Sequence, residues 1–509
     1  MSTAETPKVT GLTRRALAGS AWSTLAMVGR QVLTVASLAT VARVVGPGAY
    51  GLMGMATVII AFISNFRDLG TAVAIVQRPA ISRTLLSSLF WINALLGVLM
   101  CLTVALTAPL AGRFFHQPIL VNILRLLSLS LLVASAGVVH NAILTRDMSF
   151  RILAFIDFGS ALASYLVALV CAYAGLGVWS LVFASLTASV TTTIPYWMAC
   201  GFRPRFEFHV NEVKSIAKFS SNLSAFGFVN YACRNADNAI VGRVLGTVPL
   251  GFYQMAYNMM LTPLQNISSV IAQVLFPAFS RIQDDDERFR SAYVRACMLT
   301  GLLTFPVMAG LAVVANPLVR ALLGTKWLGT IPIFEILAPV GLVQSVMTTV
   351  GIIYQAKART DLMFRWSLVT LVTVVTAFLI GVRFGAAGVA AAYAIAFLGV
   401  LTYPSFAIPF RLIGLRVRDF GMAMVPQLLL TLCMAGVCCA WLWLMSAASI
   451  SNAWAQLLST VLLGVFIYGG GVLLLRPRVL EYAEEVMETS EHRTVLKGLS
   501  WMQRLRVGA

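Results

Sequence analysis

Arg43-Val-Val-Gly-Pro-Gly-Ala-Tyr-Gly51 returns two hundred residues later as Arg243-Val-Leu-Gly-Thr-Val-Pro-Leu-Gly251. Arg, Val and both framing glycines match in register. Each copy closes one long apolar run and opens the next. A weaker echo links Gly175-Leu-Gly-Val178 to Ala386-Ala-Gly-Val389. Six apolar runs lie between corresponding points of the two copies. Six is even, so both copies insert the same way up, as parallel repeats related by an axis along the membrane normal do.

The runs themselves are unmistakable. Of 509 residues, 59% are hydrophobic and 11% charged, against roughly 25% charged in an ordinary soluble domain. Mean hydropathy is +0.86. A cytosolic enzyme is excluded on that composition. Stretches of about 20 apolar residues recur from end to end, each long enough to cross a bilayer. Fourteen are expected, at 17–42, 49–76, 84–110, 119–144, 152–173, 177–200, 213–242, 248–275, 291–315, 329–355, 362–382, 386–409, 421–446 and 452–475. The expected protein is an all-α polytopic membrane protein of about 14 transmembrane helices. Its organisation is a cytoplasmic segment (1–16), an N-lobe (17–200), an inter-lobe linker (201–212), a C-lobe (213–410), two extra helices (421–475) and a cytoplasmic tail (476–509). Residues 1–13 are polar, so no cleavable leader is expected and the first run stays as an anchor.

Thirty-seven Lys and Arg against nineteen Asp and Glu give a net charge of +18. No dense basic stretch with interleaved aromatics appears, so nucleic acid is not expected as a partner. The cations instead alternate with the runs. With the N terminus inside, twenty-seven fall in inside segments and seven outside: Arg43, Arg113, Arg125, Arg243, Arg320, Lys326 and Arg383. That asymmetry predicts both termini in the cytoplasm.

The remaining three, Arg30, Arg67 and Arg234, lie deep in spans, where a charge is costly and therefore a functional candidate. Ser20, Ser23, Met27, Arg30, Thr34 and Ser37 follow at three- and four-residue steps, making one polar stripe on a helix. Ser220, Ser224, Gly227, Tyr231, Arg234 and Asn238 make its counterpart in the second repeat. A polar stripe cannot face lipid tails, so both face protein or a wet cavity. Guanidinium stays charged at any working pH and offers a forked set of donors that fits phosphate or diphosphate. Structural ion pairing is the competing reading: Asp237 is three residues from Arg234 and Asp68 adjoins Arg67. Either acid is also a candidate for coupling to protons or membrane potential. Asp157 and Glu335, near span ends, read as interfacial or paired groups, and Asp284-Asp285-Asp286-Glu287 as a solvated charge run.

No catalytic constellation, P-loop or large outside loop is present. The eight cysteines lie in or beside apolar runs with no CxxC pair, and the four histidines are dispersed. No cofactor, metal site or disulfide framework is expected.

Taken together, Gly19-Ser-Ala-Trp22, Arg43 to Leu52, Asp68 to Gln77, Arg234 to Gly242, Leu250 to Tyr257 and Phe276-Pro-Ala-Phe-Ser-Arg-Ile-Gln283 are similar to a known family. The chain resembles the polysaccharide transporter (Wzx-type) lipid-linked oligosaccharide flippases of the multidrug/oligosaccharidyl-lipid/polysaccharide (MOP) superfamily over about 12–475. The resemblance implies two six-helix lobes with two added helices in the bacterial inner membrane. It implies a cationic cavity carrying an undecaprenyl-diphosphate glycan from the cytoplasmic to the periplasmic leaflet. Arg30 and Arg234 match positions where related flippases place cavity arginines, and Arg67 matches less closely. Lipid II flippases put an acid after the first-span arginine, whereas Gln31 follows Arg30 here, which favours exopolysaccharide, capsule or O-antigen units. A polysaccharide polymerase and chain-length proteins are the partners such a role implies. The alternatives are a multidrug cation antiporter on the same fold, a membrane glycan-assembly enzyme and a non-transporting scaffold.

Overall fold

In the computed structural model the chain is described at residues 26–65, 67, 71–77, 81–206, 235–281 and 285–475. Among them every regular element is helical. Among the described residues eleven helical stretches are long and apolar enough to span a membrane, with Thr360–Arg411 counted once. This is a multi-pass membrane protein.

The first span is α1 (Ala26–Val45). It widens into a π-turn at Leu38–Ala42 and stops at Gly46, whose φ of 80° only glycine adopts without strain. Pro47 then starts α2 (Pro47–Ser64) from a position where its missing N–H costs nothing. The run expected to be one span over 49–76 is two helices, α2 and the short α3 (Thr71–Gln77). Asn65 ends α2 by turning its amide back onto the Ala61 carbonyl at 3.0 Å. Asn65, Arg67 and Asp68 offer the backbone polar alternatives to helix continuation, and Gly70 lowers helix propensity further.

Four long helices complete the first repeat: α4 (Arg83–Phe114), α5 (Ile119–Arg146), α6 (Phe150–Tyr173) and α7 (Val178–Ala199). α4 packs along α5, α5 along α7, and α6 along α7. Small residues set the approach: a Cβ on Gly97 would lie 2.6 Å from Ser135 Cβ. Where such helices meet, hydroxyls bond across the interface. Ser160 Oγ donates to the Ala188 carbonyl at 3.0 Å and Ser164 Oγ to Ala184 at 3.0 Å. The start of the linker is stapled to this bundle. Trp91 Nε1 donates to the Arg205 carbonyl at 2.9 Å, Ser87 Oγ accepts from the Arg205 amide at 3.2 Å, and Trp91 stacks on Phe206.

The second repeat is described from α8 (235–245), followed by α9 (Thr247–Arg281), α10 (Asp286–Val313), α11 (Thr330–Ala356), α12 (Thr360–Gly381) and α13 (385–411). The stretch 360–411 holds two spans, because it folds back at Val382–Phe384 and Gly385 (φ 79°), bringing Gly381 against the Gly388 carbonyl. α14 (Val417–Ala447) and α15 (Ala453–Leu475) follow. Most of the run 213–242 lies outside the described residues, as does the tail from 476. The acidic run begins α10: Asp285 accepts the Arg288 amide at 3.0 Å as its N-cap, and Asp286 pairs with Lys357 at 2.6 Å.

The chain divides into two compact units. The first comprises 1–256, 319–333 and 367–393; the second comprises 257–318, 334–366 and 394–509. In the second, Phe279, Phe289, Tyr293, Phe406, Phe410 and Phe420 form a fully packed aromatic core, with α14 laid along both α10 and α15.

In the first unit the two quoted motifs meet. A Cβ on Gly51 would collide with the carbonyl of Thr247, and one on Gly251 with the carbonyl of Pro47. Pro47 and Thr247 are themselves equivalent across the repeat, so the contact is reciprocal. Gly48 faces Val248 and Gly54 faces Gln254, each pair again two hundred residues apart. Residues that face their own equivalents lie on a two-fold axis, and this is the packing of a symmetric dimer written into one chain. Gly246, like Gly46, carries a positive φ, of 86°. Trp327 fills the corner: it is fully buried, donates Nε1 to the Ala42 carbonyl at 3.0 Å, and presents its ring edge-on to Tyr50 and Phe252. Its indole satisfies a carbonyl at the end of the π-turn.

Candidate functional site

α1 carries Arg30 on a face that also shows Thr34, and Thr34 Oγ1 bonds back to the Arg30 carbonyl at 2.9 Å. Both side chains are exposed. A guanidinium in an apolar helix cannot be solvated by lipid tails, so this face needs water or a polar partner. The structure supplies one partner that the local sequence does not: α1 crosses α6 with Gly29 against Phe158, and the neighbouring Asp157 lies within electrostatic reach of Arg30. Asp157 Oδ1 also accepts from Tyr196 OH on α7 at 3.4 Å. The group is thus a guanidinium, a carboxylate and a phenol drawn from three helices of one bundle. Asp157 takes Tyr196 as its hydrogen-bond partner, with Arg30 as a nearby opposite charge. That arginine lies 127 residues away, beyond the reach of helix periodicity.

Arg67 sits in the interruption between α2 and α3, with its amide on the Ser64 carbonyl at 3.0 Å. Its Nε is buried without a hydrogen-bond partner among the described residues. A buried donor left unmatched costs about 1–3 kcal/mol, more when charged. Broken helices in membranes are tolerated where they line a cavity, and there they expose groups to a ligand. α3 is held from behind: Arg146 donates to the Ile75 carbonyl at 2.7 Å, and Thr71 and Asn93 bond to each other at 3.0 Å.

Arg234 and Asp68 lie outside the described residues. Asp237 is buried, 3% exposed. It accepts Tyr253 OH at 3.0 Å and the Asn238 amide at 2.7 Å, while Asn238 Oδ1 has no partner among the described residues. Glu335 is exposed. Among the described residues no cluster of His, Cys, Asp and Glu has the numbers to hold a metal ion.

The solved structure titled "Lipid II flippase MurJ, inward closed conformation" superposes with a TM-score of 0.71, covering 89% of this chain and 98% of that one at 16% identity, a likeness of fold. The family model described as "Polysaccharide biosynthesis protein" matches residues 40–332, more than half of the chain, and the chain belongs to that family. The lipopolysaccharide biosynthesis protein WzxC of Escherichia coli K12 is 31% identical over 385 residues, covering 74% of this chain and 77% of WzxC. The succinoglycan biosynthesis transport protein ExoT of Rhizobium meliloti is 26% identical over 317 residues, covering 62% of this chain and 64% of ExoT.

Proposed function

We propose that the chain is a flippase that moves an undecaprenyl-diphosphate-linked oligosaccharide across the inner membrane by alternating access. Arg30, Arg67 and Arg234 take the diphosphate, the polar stripes take the sugars, and the prenyl chain stays in lipid. The observation that carries the reading is Arg67: a guanidinium in a broken membrane helix, with a buried donor left open for a ligand. Each charge at a helix centre costs about 2.5–3.5 kcal/mol on insertion scales. A chain that keeps several of them has a use for them, and diphosphate chemistry is what a forked cation serves. The family membership and the transport role in the name of ExoT support a substrate from polysaccharide assembly. The departure at Gln31 supports an exopolysaccharide, capsule or O-antigen unit rather than lipid II. Asp237 and Asp68 are the candidate coupling groups.

The test is export of the cell's own polysaccharide by chains carrying Arg30→Gln, Arg67→Gln or Arg234→Gln, with membrane levels matched. Loss of export with accumulation of the lipid-linked unit in the inner leaflet is expected. Undiminished export in all three would overturn the reading, and a gain or loss of cationic drug resistance would favour the antiporter instead.

A further inference from the structure

The ends of the spans that carry the two quoted motifs hold cations without acids. Arg43, Arg113, Arg243, Arg320 and Lys326 lie in those loops with His116, and no Asp or Glu occurs in any loop at that end. The ion pairs described, Arg288 with Asp285, Lys357 with Asp286 and Arg359 with Asp361, fall in the loops at the opposite ends of their spans. The few cations at this end therefore lack the neighbouring carboxylates that the opposite loops supply.

Four of these residues form two groups, each around a motif arginine, and Arg43 and Arg243 are equivalent across the repeat. In one, Arg243 from the second motif sets Nη1 against the imidazole of His116, 2.6 Å from Nε2, with its guanidinium over the ring of Phe114. His116 is held at φ 54°, in a region a non-glycine residue seldom adopts, by the turn that also carries Arg113. In the other, Arg43 from the first motif runs its Nε beside Gly324. Lys326, from the turn after Arg320, reaches the Val44 carbonyl with Nζ at 3.4 Å. Each group joins the motif arginine of one repeat to one basic residue on a loop of the other: Arg243 to His116, and Arg43 to the turn that carries Lys326.

Arginine and lysine are donors only, so they satisfy nothing in one another. Two like charges at 4 Å repel by about 1 kcal/mol in water and by about 4 kcal/mol at an effective dielectric near 20. Carbonyls and an aromatic face anchor these side chains but neutralise none of the charge. Among the described residues no carboxylate pairs with these groups, and an anion with several oxygens is what a guanidinium fork and an ammonium can share.

We propose that the two groups are a duplicated binding site for phosphate or diphosphate headgroups, separate from Arg30 and Arg67. The source of that phosphate rests on the flippase reading: the site would receive the diphosphate as it leaves, or hold phospholipid heads around the exit.

The test is calorimetric titration of the full chain in phosphatidylcholine nanodiscs with inorganic pyrophosphate. Three chains are compared: the parent, one carrying Arg43→Gln, Lys326→Gln, Arg243→Gln and His116→Gln, and one carrying Arg30→Gln and Arg67→Gln. The fourfold variant should bind pyrophosphate at least about tenfold more weakly at one class of sites, since one charge-assisted bond is worth about that factor. The twofold variant should keep that class. An unchanged titration of the fourfold variant overturns the proposal whatever the twofold variant does. An unchanged twofold variant beside an impaired fourfold one counts against the interior site and leaves this one standing. Should the fourfold variant fail to fold, Arg243→Gln and Lys326→Gln are titrated singly, and parent-like binding by both overturns the proposal. Repeating the parent titration in phosphatidylglycerol nanodiscs separates the sources. Disappearance of the class there marks bilayer headgroups as the occupant, and its persistence marks a free diphosphate.

Discussion

Gly54 and Gln254 stand two hundred residues apart and face each other: a Cβ on the glycine would lie 2.9 Å from the side-chain amide carbon of the glutamine. They are equivalent positions in the repeat, so the two-fold axis passes between them. The repeat seen as four matching letters is thus a packing device, in which two helix corners interlock because each offers a glycine to the other's backbone.

Closing that corner depends on Gly51 and Gly251. Replacing either with Ala puts a methyl group into a carbonyl and should lower thermal stability in detergent, at a cost of about 1–3 kcal/mol for overpacking. Gly159→Ala, where a Cβ meets nothing within 4 Å, should leave the melting temperature unchanged or slightly raised. Equal melting curves for all three would contradict the interlocked corner.

Trp327 has two separable roles at the same place. Trp327→Phe keeps most of the buried area but abandons the Ala42 carbonyl, which should cost about 1–3 kcal/mol. Trp327→Ala also opens a cavity, and about 3–5 kcal/mol is expected. Unfolding followed by size-exclusion chromatography after heating should rank them parent, Phe, Ala.

Arg30 and Asp157 lie within electrostatic reach of each other, and the proposed function gives substrate contact to the arginine alone. Arg30→Gln should reduce export about tenfold or more, the worth of one charge-assisted bond, and Arg30→Lys should restore it only in part, since the fork is lost. Asp157→Asn keeps the phenol contact and should retain most export. Equal damage from Arg30→Gln and Asp157→Asn would assign both to structure.

Asp237 and Tyr253 separate fold from coupling. Tyr253→Phe leaves one carboxylate oxygen unmatched in a buried site, so the protein should lose about 1–3 kcal/mol of stability. Asp237→Asn preserves shape. If Asp237 couples transport to protons, export by Asp237→Asn should lose its response to a dissipated proton gradient while membrane levels stay at the parent's. A response identical to the parent's would remove Asp237 from the coupling role.

The helical membrane fold was legible because bilayer thickness sets span length. The parallel repeat was legible because Gly46 and Gly246 must be glycine where φ is positive. Less visible was the interruption of the second span. Asn65, Arg67, Asp68 and Gly70 signal it, but the apolar residues on either side masked it in a hydropathy reading. The Asp157 partner of Arg30 was out of reach, since pairing between helices leaves no periodic trace. The same holds for Trp327, whose burial is decided by a π-turn nearly three hundred residues earlier. Arg234 and Asp68 keep the standing their sequence context gives them.

The staple between Trp91, Ser87 and the linker at Arg205 and Phe206 uses only residues from the first two-fifths of the chain. It can therefore form during synthesis, before any of the second repeat has emerged. Thr247, by contrast, arrives about forty residues later, and until then Gly51 has nothing to lock against. Biogenesis is thereby ordered: one end of the first bundle is finished early from its own residues, and the other stays unsealed until its twin is made.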